Sequence, residues 1–86
     1  MAKQYIYTHP DGDKIYYKDP EMTILHRTDG PAIEFPDGNK QWVVNGVLHR
    51  LDGPALEYAS GDKAWYVNGE FIFETDRSGD IIGTLP

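Results

Sequence analysis

Residues Leu25–Gly46 read LHRTDGPAIEFPDGNKQWVVNG, and Leu48–Gly69 read LHRLDGPALEYASGDKAWYVNG. The second stretch restates the first at an offset of 48 − 25 = 23 residues, a spacing typical of repeat architectures. Most changes between the copies are mild, such as Ile33 for Leu56 and Phe35 for Tyr58. Asn45-Gly46 and Asn68-Gly69 are strong hairpin signals, because a two-residue type I′ turn needs positive φ at both positions. Pro36-Asp37-Gly38-Asn39 and Ser60-Gly61-Asp62 supply the alternate turns. Between them lie Ala32–Phe35, Lys40–Val44, Pro54–Tyr58 and Lys63–Val67, all of strand length.

The pattern continues outward in weaker form. Pro10-Asp11-Gly12 matches Pro36-Asp37-Gly38 at 36 − 10 = 26, the period plus three, with Glu21-Met22-Thr23 as the extra residues. Asp19-Pro20 stands where the later copies have Asn-Gly, so residues 4–19 form a first hairpin. After Gly69, Glu70–Glu74 replaces the Leu-His-Arg segment, and Arg77-Ser78-Gly79-Asp80 turns the chain towards Ile81-Ile82. A closing hairpin is what a terminal repeat requires. Turn signals every seven or eight residues leave no room for a helix of ordinary length. The reading is an all-β fold in one domain over 1–86, an antiparallel meander of stacked β-hairpin repeats of about 23 residues. Its parts are a degenerate first repeat (4–24), repeats over 25–47 and 48–70, and a capping hairpin over 70–86.

Cysteine is absent, so stability rests on backbone ladders and on six Tyr, three Phe and two Trp. Met1-Ala2-Lys3-Gln4 leads into Tyr5-Ile6-Tyr7 without an apolar leader, and no apolar run reaches membrane-spanning length. The expected location is the cytoplasm, or the host cytoplasm for a viral protein. A net charge of −6 weighs against direct binding to nucleic acid or to anionic membranes.

Period-two alternation groups Tyr16, Trp42 and Trp65 into one column of rings, the expected spine of the core. The alternate column is Tyr17, Val43 and Tyr66. A sheet apolar on both faces, in a chain too small to cover both, makes that column a candidate partner-binding face. Phe71 and Phe73, in the unpatterned strand, are further candidate contacts or a capping core. Glu21-Met22-Thr23 is a third place where the copies differ.

His26 and His49 each precede Arg-x-Asp-Gly, which invites pairing of His49 with Asp52 as a base or metal site. A residue written once per repeat is better read as part of the repeat. The imidazoles are expected to bond backbone or the neighbouring Asp. Trp42, Trp65, Asp29, Asp52, Asn45, Gly46, Asn68 and Gly69 are assigned the same structural role. Arg27 and Arg50 are expected to pair with Asp29, Asp52, Glu34 or Glu57, each exposed pair contributing less than about 1 kcal/mol. Capture of an acidic ligand by both arginines is the alternative. Ser60 and Ser78 sit in Ser-Gly turns with no His-Asp arrangement beside them, and no glycine-rich phosphate loop opens a helix. No catalytic residue, metal site or cofactor is therefore assigned.

The series Trp42, Asn45, Gly46, His49, Gly53, Tyr58 and Gly61, with its partners 23 residues away, resembles the MORN repeat over about residues 10–70. The resemblance implies hairpins stacked into an elongated, twisted ribbon. It also implies scaffolding, protein contact and sometimes membrane association, for which this acidic chain lacks basic patches. Arg27 and Arg50 stand where the family usually carries Gly, and the family's Gly between the strand aromatics is missing. The His-Arg-x-Asp-Gly-Pro-Ala variant is similar to repeats in bacterial and large-virus proteins.

The function expected is a non-catalytic protein-binding or scaffold module, acting through an aromatic sheet face or an open edge strand. Homo-oligomers through edge strands are a version of the same idea. The alternative is a small acidic viral-type inhibitor, or nucleic-acid mimic, acting on a host protein.

Overall fold

A computed structural model describes residues 3–84. Met1, Ala2, Leu85 and Pro86, the ends of the 1–86 domain and of the 70–86 hairpin, lie outside the described residues. The described chain is all-β, with no helix. Its strands are β1 (Tyr5–Thr8), β2 (Lys14–Tyr17), β3 (Ile33–Glu34), β4 (Lys40–Gln41), β5 (Val43–Val44), β6 (Val47–Leu48), β7 (Leu56–Glu57), β8 (Lys63–Val67), β9 (Glu70–Thr75) and β10 (Ile81–Thr84). Eight of them form one antiparallel sheet in the order β1-β2-β3-β4-β7-β8-β9-β10, while β5 and β6 make a separate hairpin. The molecule measures 39 × 27 × 19 Å.

Local turn chemistry sets these reversals. Asn45 and Gly46 have φ of 50° and 82°, and Asn68 and Gly69 have 51° and 82°, as the twist of a tight hairpin demands. The opposite ends are closed by four three-residue loops, each with its glycine at φ near 100°: Gly12, Gly38, Gly61 and Gly79. In each, the glycine N–H returns to the residue three before it: His9, Phe35, Tyr58 and Asp76. An Asp or Ser side chain in or beside the loop accepts a further amide, as Asp37 does from Asn39 N–H at 2.9 Å. In the first copy, the Asp19 carboxylate accepts the Thr23 and Ile24 amides and the Thr23 hydroxyl. That carboxylate holds the three-residue insertion in place of an Asn-Gly turn.

The single strand expected over Lys40–Val44 is divided at Trp42. Its N–H bonds Ala55 O at 2.7 Å, and its C=O accepts the His49 amide at 3.1 Å. The strand thus hands its pairing from β7 to β6 at this residue.

Register assigns the faces, because directly opposed residues share one. Lys14, Glu34, Lys40, Glu57 and Lys63 are successive cross-strand partners, a row of alternating charge. One residue along, on the other face, run Tyr7, Ile15, Ile33, Gln41, Leu56 and Ala64. The buried residues are small: Ala32, Val43, Ala55 and Ala64, with Tyr16 and Thr75. No large side chain among the described residues is fully buried.

Candidate interaction surface

Extending the register by one residue places Tyr16, Ala32, Trp42, Ala55, Trp65 and Phe73 in a row on the charged-row face. Rings and methyl groups alternate along it until the final pair. The expected column of stacked rings is therefore interrupted, and arginines fill the interruptions. The Arg27 guanidinium lies 3.9 Å from the centre of the Tyr16 ring, and that of Arg50 lies 3.9 Å from the Trp42 ring. Each Nε donates to the aspartate two residues on, at 2.8 Å for Asp29 and 3.0 Å for Asp52. Each Nη1 donates to a proline carbonyl (Pro31, Pro54) and to a glutamate (Glu34, Glu57) at 3.0–3.2 Å.

The arginine side chains are only 18% and 21% exposed while their aspartate partners stay 66% and 88% exposed, so the expected surface pairs form, with the guanidinium itself packed inside. A guanidinium packed on a ring, with its donors bonded, contributes through desolvated cation–π contact as well as charge. Burial works against the charge of Arg27, yet the Asp29 hydrogen bond and the fields of Tyr16, Asp29 and Glu34 outweigh it and raise its pKa. The motif explains its own small residues. A Cβ on Gly30 or Gly53 would stand 2.8 Å from the arginine Cζ, and Ala32 and Ala55 are fully buried. The legible signal was Arg followed by Gly at +3, Ala at +5 and Glu at +7, twice.

His26 Nδ1 accepts the Asn45 amide at 3.0 Å, and His49 Nδ1 accepts the Asn68 amide at 2.9 Å. Each imidazole thus braces an Asn-Gly turn through its backbone; neither bonds Asp29 or Asp52. Asp29 bonds Arg27 and Gln4 Nε2, and these two hydrogen bonds, in that order, lower its pKa. Asp52 bonds Arg50. No group of three metal-ligating side chains occurs among the described residues.

The connectors 27–30 and 49–52 flank a groove of about 690 Å³ floored by Trp42 and Val44. Both arginines that line it already have carboxylate partners, so it offers no unpaired cation to an acidic ligand.

The candidate partner-binding residues are scattered by the structure. Val43 is 3% exposed and presents no surface, which corrects its assignment. The smallest member of its column, it has Leu48 paired beside it, and its carbonyl takes the Arg27 amide. Tyr17 and Tyr66 are half-buried, Tyr66 packing edge-on to Phe71 at 5.5 Å. Phe73 stacks on Trp65 at 4.3 Å and so extends the ring-and-arginine row.

The opposite face carries a further apolar strip, interrupted at Gln41 and Asn39. Ile15, Ile33 and Leu56 are half-buried along one row. One step towards the turns, register brings Phe35 and Tyr58 to the same face, with Asn39 between them and Asp13, Asp62 and Asp76 on either side. Tyr58 is 40% exposed, and its pKa is raised by partial burial and then by Glu74, Tyr66 and Asp62. An acidic fringe therefore borders an apolar strip. No family model, curated protein or solved structure matches the chain.

Proposed function

We propose that the chain is a MORN-like, non-catalytic interaction module that docks a protein segment on its Ile15–Ile33–Leu56 face. The single observation behind this is the half-buried apolar strip, with Phe35 and the exposed Tyr58, bordered by aspartates. The other face is occupied by its own arginine connectors. Apolar surface of this kind favours a partner that brings aliphatic or aromatic side chains. The acidic border and the net charge of −6 favour one that is basic around them.

Protein captured on immobilised wild-type chain is compared with that captured by Leu56→Ser and Tyr58→Ser, with folding checked by circular dichroism. Loss of the same captured protein from both folded variants supports the reading. Identical capture by wild type and variants overturns it.

A further inference from the structure

The strand β1 is the outer strand of the sheet at one end, and β10 is the outer strand at the other. Outer strands are usually guarded by charge, proline or a bulge, because their free amides and carbonyls recruit further strands. The strand β10 has such a guard: its register with β9 shifts between Ile81 and Gly83. The strand β1 has none. Tyr5-Ile6-Tyr7-Thr8 carries no charge and no proline, and it pairs with β2 in unbroken register. Ile6 is 47% exposed.

The free groups of β1 follow from hydrogen bonds one strand inward. Tyr16 N–H bonds Ala32 O, and Tyr16 O accepts the His26 amide. Both main-chain groups of Tyr16 thus point away from β1. Its partner Ile6 consequently belongs to a non-hydrogen-bonded pair and directs its own N–H and C=O outward. Thr8, and Gln4 on the other side, follow by the period of two.

We infer that β1 is a self-recognition edge whose partner is β1 of a second copy, antiparallel across a two-fold axis at Ile6. With Ile6 opposite Ile6 of the second copy, Gln4 and Thr8 fall opposite one another in both senses. Every outward amide then meets an outward carbonyl. The same register sets Tyr5 against Tyr7 of the second copy in non-hydrogen-bonded pairs, where side chains approach most closely and aromatic pairs gain most. Pairing β1 with β10 instead would be heterologous and would grow into open filaments, and the bulge opposes it. Two chains of −6 repel, so salt strengthens this association.

The inference goes beyond the interaction reading above: it adds a second copy of the chain as a partner, at a separate surface. Sedimentation equilibrium tests it. The ladder is short, so dimers are expected in a range of roughly 10 μM–1 mM. Ile6→Pro removes the outward N–H, a position where an edge strand tolerates proline. A synthetic chain N-methylated at Ile6 removes the same donor and keeps the side chain. The expected result is a wild-type dimer that tightens with salt and becomes monomeric in either altered chain, with Leu56→Ser still dimeric. A wild type monomeric throughout that range overturns the inference. So does a dimer that survives N-methylation, or a mass that grows beyond two and is abolished by Ile81→Lys. None of these results touches capture at the Leu56 face, so the two readings fail separately.

Discussion

The Arg50 guanidinium occupies the space that a side chain at Gly53 would need: a Cβ there would lie 2.8 Å from Arg50 Cζ. Gly30 and Arg27 stand in the same relation. No positive φ constrains Gly53, so the requirement for glycine comes from a neighbour and not from the backbone. Gly53→Ala is expected to push the guanidinium off the Trp42 ring and cost about 1–3 kcal/mol, the range for overpacking. The tryptophan emission spectrum and the urea midpoint would shift together. At Gly46 nothing lies within 4 Å, and the cost of alanine there is positive-φ strain, about 1 kcal/mol, with tryptophan emission unchanged.

Arg50→Ala should be among the most destabilising single changes in the chain. It strips the Trp42 ring of its cation and leaves Pro54 O and Glu57 without their donor. A loss of about 2–4 kcal/mol is expected in urea unfolding. Arg50→Lys should recover less than half of it. An ammonium cannot lie flat on the ring while forking to an aspartate and a carbonyl. Full rescue by lysine would show that charge alone matters at this position.

The histidines give a local readout. His49→Ala removes the acceptor of the Asn68 amide, and His26→Ala that of Asn45. Each should cost about 1 kcal/mol, and amide exchange at the matching Asn should quicken roughly 5-fold. Exchange by NMR checks this, because the Asn in the untouched copy serves as an internal control.

Acid should loosen the first connector. The Asp29 carboxylate is held below the ordinary value of 3.8 by the Arg27 hydrogen bond and then by Gln4. Asp19 is held below it chiefly by the Thr23 hydroxyl, with the Ile24 and Thr23 amides adding to the effect. A depressed folded-state pKa contributes stability above the ordinary value, and that contribution is lost as pH falls through the depressed one. The urea midpoint should therefore drop below about pH 4. The slope should be shallower in Asp29→Asn, and Gln4→Ala should move the Asp29 titration upward in carboxyl-detected NMR.

The reversals of the chain were legible from residues 9–80 because a hairpin turn is decided by two or three adjacent residues. Asn-Gly takes positive φ wherever it occurs, and Pro-Asp-Gly closes its loop with its own side chain. The alternation of Ile15, Ile33 and Leu56 against Lys14, Glu34 and Glu57 was likewise written in the period of two. The positions of Arg27 and Arg50 were not. Each arginine follows the histidine whose amide bonds the ring-bearing residue, Tyr16 or Trp42. The fold of its side chain back onto that ring depends on a cross-strand register that a chain read in one dimension does not reveal.

Tertiary structure also decided which apolar side chains stay open. Val43 reads as the equal of Tyr17 and Tyr66, yet it is sunk between Leu48 and the Arg27 amide. Ile15, Ile33 and Leu56 keep part of their surface. Sequence alone thus determined the all-β class and the turns, while the division of Lys40–Val44 at Trp42 came from its cross-strand partners. Packing decided what covers each face, because burial depends on the neighbours that a strand acquires and not on the residues that compose it.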